Sequence, residues 1–100
     1  MRLFDDQNQK MNLSLKDVEG ELLLVSQFTL HASTKKGNRP SFVKSTPADY
    51  AITLYNQAVD FAKTKIHEKN IQTGIFGAMM DVNLCNKGPV TITIDSKNKE

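Results

Sequence analysis

Cysteine, long apolar runs and, over one stretch, acidic side chains are what this sequence has least of. A single cysteine, Cys85, in 100 residues leaves no internal disulfide, which fits a reducing, cytoplasmic setting. Its apolar runs fall far short of the roughly 20 residues that a helix needs to cross a bilayer. The opening MRLFDDQNQK lacks the charged, apolar and small-residue sections of a secretory leader. Between Glu21 and Asp49 no acidic residue occurs, yet Lys35, Lys36, Arg39 and Lys44 fall inside that interval. Metal-ligand spacing is missing too: His31 and His67 lie far apart, and Cys85 has no companion. Gly74-Ile75-Phe76-Gly77 has neither the glycine spacing nor the lysine of a phosphate-binding loop. No Ser-His-Asp or Cys-His set can be drawn from these residues, and there is no internal repeat or low-complexity segment.

What remains has the balance of an ordinary globular protein, 39% hydrophobic and 24% charged. One hundred residues allow a single domain over 1–100, with a core on the small side. The net charge of +2 names no partner by itself. Leu22 to Ala32 stands out. Leu22-Leu23-Leu24-Val25 reads as a buried strand, which then runs out into Ser26, Gln27, Phe28 and Thr29. Upstream, Leu3-Phe4 ends a strand, a polar turn covers Asp5 to Lys10, and Met11 to Leu15 alternates as a half-buried strand. Lys16 to Gly20 then turns the chain into Glu21–Phe28, and a hairpin between these last two strands is expected.

Residues 31–45 form a basic loop punctuated by Gly37, Asn38 and Pro40. Beyond it, Thr46 is expected to cap a helix, with Pro47 first in it, Asp49 in the first turn and Lys63, Lys65 and Lys69 near its end. Ala51, Leu54, Tyr55, Ala58, Phe61, Ala62 and Ile66 fall on one face, read as core. His67 is read as complementing the dipole at that helix's end. Met80, Val82 and Leu84, then Val90, Ile92 and Ile94, alternate with polar residues. They read as two strands joined across Asn86-Lys87-Gly88-Pro89, paired antiparallel or in a non-hairpin arrangement.

Ser26 and Gln27 could donate hydrogen bonds to a carbonyl or a developing oxyanion. Thr29 could be a nucleophile, but its hydroxyl needs an activating base, and none is evident in the sequence. The structural reading is that Ser, Gln and Thr merely finish a strand. For Gly88-Pro89, trans is the default peptide geometry and cis needs a reason. The basic loop reads either as a solvated surface or as a phosphate-contacting lip.

SQFTLHA at 26–32, GNRPSF at 37–42, QTGIFGAMMDV at 72–82 and NKGPVT at 86–91 together resemble the D-aminoacyl-tRNA deacylases, in that family's order and spacing over essentially the whole chain. The resemblance implies an α+β fold, an antiparallel or mixed β-sheet packed with one long helix. In the family, further strands and a helix of the same domain precede the position matching Met1, so the chain resembles the later two-thirds of that domain. It also implies a cytoplasmic homodimer, without metal or cofactor, that hydrolyses the ester of D-aminoacyl-tRNA and of mischarged glycyl-tRNA. By resemblance, Ser26, Gln27, Phe28 and Thr29 line the aminoacyl pocket, with Ser26, Gln27 and Thr29 the catalytic candidates. Phe76 and Met80 wall the terminal adenosine. Gly88 and Pro89 match a Gly-cisPro motif that enters the partner subunit's pocket and excludes L side chains. Lys35, Lys36, Arg39 and Lys44 are candidates for tRNA phosphate contacts. The competing expectations are a tRNA- or aminoacyl-binding module with weakened catalysis, and a related deacylase with a trans Gly-Pro and relaxed chirality, against which SQFTL together with NKGPVT argues.

Overall fold

The computed structural model describes residues 1–88 and 90–99. In chain order the elements are β1 (Arg2–Asp5), β2 (Met11–Ser14), β3 (Leu22–Leu24), a 3-10 turn (Phe28–His31), α1 (Ala48–Lys65), a second 3-10 turn (Glu68–Asn70) and β4 (Ile71–Thr73). β1 and β2 pair antiparallel, while β3 and β4 pair parallel, Leu22 opposite Ile71 and Leu24 opposite Thr73. The fold is therefore α+β with both kinds of pairing. The basic loop and α1 supply the long crossover that a parallel pair requires.

The expected hairpin between Met11–Leu15 and Glu21–Phe28 does not form: β2 pairs with β1, and β3 pairs with β4 instead. The Asp6 carboxylate accepts the Asn8 and Lys10 N–H groups at 2.8 and 3.1 Å, which folds β1 back on β2. These two backbone bonds, Lys10's first, and the Asn12 amide hold the Asp6 carboxyl below the usual carboxylate range. After β2, Ser14 N–H donates to Asp17 and Asp17 N–H to Ser14 Oγ, at 2.8 and 3.1 Å. That reciprocal pair, with its backbone bond the larger cause, lowers the Asp17 pKa as well. Gly20 N–H then closes on the Leu15 carbonyl at 3.0 Å. A Cβ at Gly20 would lie 2.5 Å from Leu15 Cδ1, so glycine permits this close return.

α1 begins one residue later than expected. Pro47, at ψ 144°, is the N-cap rather than the first helical residue, and its carbonyl accepts Ala51 N–H at 3.0 Å. Thr46 is thus one position too early to cap, and no side chain does so. Asp49 sits in the first turn and Lys63 and Lys65 in the last, as expected from the dipole, whereas Lys69 lies beyond the helix. His67 has a different role from the expected one: it caps the second 3-10 turn, its Nδ1 accepting Lys69 N–H at 3.3 Å.

The inward stripe of α1 is Ala51, Tyr55, Val59 and Ala62, continued by Ile66 at the C-cap, with Val59 the buried member. Val59 was absent from the expected face, while Leu54, Ala58 and Phe61, assigned to it, are exposed. Among the described residues, only Val59 and Ile71 make up the buried apolar core. Leu23 in the supposedly buried strand is 60% exposed. The Cα radius of gyration is 16.3 Å, against about 13 Å for a compact chain of this length. Exposed surface reaches 9449 Å², against about 5,700 Å² for a compact monomer of this mass.

The second expected pair is also absent: residues 80–88 and 90–95 carry no strand. Period-two alternation states which face a strand would bury but not which edge it joins; both sheets are two-stranded and leave edges open, and these residues take none of them. Val82, Leu84, Ile92 and Ile94 are at least half exposed as a result. No helix among the described residues is long and apolar enough to cross a membrane.

Candidate functional site

Parallel pairing puts the carboxyl ends of β3 and β4 side by side, and the chain leaves both at the same edge. Leaving β3 come Val25 and Ser26 to Thr29; leaving β4 come Gly74 to Met80. An open cleft of about 600 Å³ lies between them, within the usual range of ligand sites. Ser26, Gln27, Phe28 and Thr29 line one wall, and Phe76 and Met80 line the other. All six residues assigned to the pocket therefore meet in one place, with the amino-terminal half of α1 as the floor.

Local chemistry explains the walls. The expected strand stops at Leu24, and Phe28–His31 coils into a 3-10 turn whose N-cap, Gln27, is extended at φ −151°. Ser45 Oγ donates to the Phe28 carbonyl at 2.9 Å. The Phe28 ring meets Phe42 edge to face, centroids 5.4 Å apart, so GNRPSF braces SQFT. On the facing wall, a Cβ on Gly74 would lie 3.4 Å from Met80 Cε and 3.5 Å from its sulfur. Glycine there lets the thioether lie flat against the backbone. Gly77, at φ +71°, turns the chain between Phe76 and Met80.

Gln27 Nε2 donates to Thr29 Oγ1. An amide is not a base in either orientation, so this contact orients the hydroxyl without activating it. Among the described residues, the N–H groups of Ser26 and Gln27 donate to no protein acceptor, which leaves them available to a carbonyl oxygen. Among the other residues lining the cleft are His31, Ser45 and Tyr55, which the sequence did not assign to the site. His31 is two residues beyond Thr29 and closes the 3-10 turn, whereas the sequence placed it at the start of the basic loop. Tyr55 was read only as core.

Other expected site residues stand apart. Lys35, Lys36, Arg39 and Lys44 are exposed on the loop and do not line the cleft. Ser33 and Ser41 close that loop with N–H···O bonds of 2.7 and 2.9 Å, and Gly37 turns its tip at φ +68°. Gly88 is exposed and also outside the cleft. Pro89, and with it the geometry of the Gly88-Pro89 bond, lies outside the described residues. Among the described residues no group of three or more His, Cys, Asp or Glu could hold a metal.

A second cleft, about 420 Å³, opens at the amino ends of β3 and β4 and carries Lys16, Lys65, Lys69 and His67. Some of these groups have local contacts. Lys65 Nζ lies 5.2 Å over the Phe61 ring, His67 Nδ1 holds the Lys69 N–H, and Glu19 shares the lining. Lysines here also answer the carbonyl end of α1.

The fold and site thus define an α+β protein with a polar and aromatic cleft at the carboxyl edge of a parallel strand pair. Residues 1–95 match the family described as D-Tyr-tRNA(Tyr) deacylase. The chain belongs to that family. A D-aminoacyl-tRNA deacylase of Flavobacterium johnsoniae is 58% identical over 100 residues, covering 100% of this chain and 66% of the relative. One from Clostridium acetobutylicum is 50% identical over 97 residues, covering 97% of this chain and 64% of the relative. A solved structure titled "c-Myc DNA Unwinding Element Binding Protein" superposes with TM-score 0.83 at 38% identity, covering 95% of this chain and 64% of its own. The chain spans just under two thirds of the length of these relatives.

Proposed function

We propose that this chain hydrolyses the ester of D-aminoacyl-tRNA, and of mischarged glycyl-tRNA, as a cytoplasmic editing enzyme without metal or cofactor. The observation that carries this reading is the meeting of Ser26–Thr29 with Phe76 and Met80 across one cleft, in a chain of the D-Tyr-tRNA(Tyr) deacylase family. Phe76 and Met80 offer flat apolar surface to the terminal adenosine. The polar wall receives the ester, with free N–H groups facing its carbonyl oxygen as negative charge develops there. Water adds to the carbonyl carbon, the bond from that carbon to the ribose oxygen breaks, and the ribose oxygen takes a proton. Free D-amino acid and tRNA leave. The neighbouring ribose 2′-hydroxyl assists the attack, and Thr29 orients substrate rather than bonding to it.

Chirality comes from a second copy in this reading. Gly88 and Pro89 of the partner subunit enter the cleft as a rigid cis dipeptide and leave no room for an L side chain, while Lys35, Lys36, Arg39 and Lys44 meet tRNA phosphates. The test is release of amino acid from D-tyrosyl-tRNA and L-tyrosyl-tRNA by the purified chain. Turnover of the D ester alone is expected; equal turnover of both, or neither, overturns the proposal. The thin core favours a second reading, a module that binds tRNA without turnover. Retention of D-tyrosyl-tRNA with its ester intact identifies that case.

A further inference from the structure

Tyr55 is joined to both walls of the cleft. Its hydroxyl donates to the Leu24 carbonyl at 2.7 Å, a part-buried bond between residues 31 apart in sequence. Its ring lies against Phe76, with centroids 5.9 Å apart and planes inclined at 50°. Leu24 ends β3, and its carbonyl also accepts Gly74 N–H at 3.2 Å, the first bond beyond β4. Both lone pairs of that oxygen are therefore used, one by each neighbouring element. The polar wall starts two residues later. Its far end is held by Ser45 on the Phe28 carbonyl, and between these points the Ser26 and Gln27 N–H groups have no protein partner among the described residues.

We propose that Tyr55 is a positioning residue: its O–H···O=C bond to Leu24, with its ring on Phe76, sets the separation of the two walls and so the approach of water to the ester. The inference rests on the deacylase reading. The Tyr55 proton is committed to Leu24, so the residue acts through the wall and not on the reacting atoms. A change in that separation affects alignment at the moment of attack more than it affects how tightly the adenosine is held. The expected signature lies in kcat and not in KM.

Tyr55→Phe isolates the hydroxyl, because the ring stays on Phe76. One lost hydrogen bond corresponds to about a five- to tenfold fall in kcat on D-tyrosyl-tRNA, with KM within about twofold. Exchange of the Gly74 amide should accelerate in the same variant, since the tie from α1 that holds the Leu24 carbonyl in place is gone. Tyr50→Phe, an exposed hydroxyl on the same helix, should alter neither quantity. An unchanged kcat in Tyr55→Phe, or a loss carried by KM alone, overturns the assignment. If the wild-type chain does not turn over D-tyrosyl-tRNA, the deacylase reading fails on its own account. Gly74 exchange then decides the clamp, and unaltered exchange refutes it.

Discussion

Replacing Thr29 by Ala separates two mechanisms because their magnitudes differ by orders. The Thr29 hydroxyl accepts the Gln27 amide, and such a hydrogen bond is worth about 1 kcal/mol net. Losing it costs about five- to tenfold in rate when the hydroxyl serves only to orient. A covalent nucleophile removed from its site instead costs on the order of 10⁴ to 10⁶ in kcat. The side chain is half-buried, and its loss opens no cavity in the Val59–Ile71 core, so stability should not confuse the comparison. The assay is single-turnover hydrolysis of D-tyrosyl-tRNA, followed by release of labelled tyrosine. It is repeated with a substrate whose terminal ribose lacks the 2′-hydroxyl on the ester-bearing residue. The expected outcome is a Thr29→Ala rate within about tenfold of wild type and little activity on the deoxy substrate. A fall of about 10⁴, or an acyl ester trapped on Thr29, refutes the argument.

Three other outcomes follow from residues outside the cleft. Val59→Ala should destabilise the chain by about 2 kcal/mol, counting two lost methyl groups and a small cavity. Phe61→Ala removes a larger side chain that is 64% exposed and should cost about 1 kcal/mol or less, mainly the contact with Lys65; thermal melts showing the reverse order would mean α1 faces the other way. For the Asp6 turn, the folded-state pKa is depressed, so its stabilisation is complete above the ordinary aspartate pKa of about 3.9 and is lost as pH falls below that. Asn8 and Lys10 amide protection should therefore decline on acidification in the wild type and show no such step in Asp6→Asn. Charge reversal at Lys35, Lys36, Arg39 and Lys44 should weaken tRNA binding and flatten its dependence on salt, by about 0.7 to 0.9 in the log–log slope per lost phosphate contact; an unchanged slope clears the loop of that role.

The parts legible in the sequence are those with local causes. α1 follows from Pro47, Asp49 and an apolar spacing that any reader of helical period finds, and the 31–45 loop follows from its glycine, asparagine and proline. Pairing was not legible, because it depends on which edges meet. The alternation in Met11–Leu15 predicted a strand correctly, but the partner was decided by the Asp6 carboxylate on one side and the Ser14–Asp17 exchange on the other. The same limit applies to 80–85 and 90–94, whose pattern is a preference that no edge satisfies. For the helix, a stripe through Phe61 and one through Val59 both fit the spacing, and only packing against β4 selects the second. The pocket residues came from motif resemblance. Position along the strand would have placed none of Ser26–Thr29 opposite Phe76 without the parallel register.

That register also bears on where chirality is imposed. The cleft is lined by the segments that leave β3 and β4 and by α1, and Gly88 is not part of it. In the reading proposed above, Gly88-Pro89 acts on a cleft belonging to another copy, and mixing two variants tests this. Pro89→Ala keeps its own cleft intact and should hydrolyse both D- and L-tyrosyl-tRNA. Ser26→Trp blocks its own cleft but carries an unaltered Gly88-Pro89. With the blocked chain in about tenfold excess, mass action places nearly every Pro89→Ala cleft opposite an intact motif. Acting across subunits, the intact motif should then cut L-ester hydrolysis to about a tenth while D-ester hydrolysis per Pro89→Ala chain persists. Acting within its own chain, the motif of the blocked variant can do nothing, and L-ester hydrolysis stays at its starting value. Copurification through a tag carried by the blocked chain alone shows whether mixed dimers formed, so a constant L-rate once they have formed rules out the cross-subunit assignment.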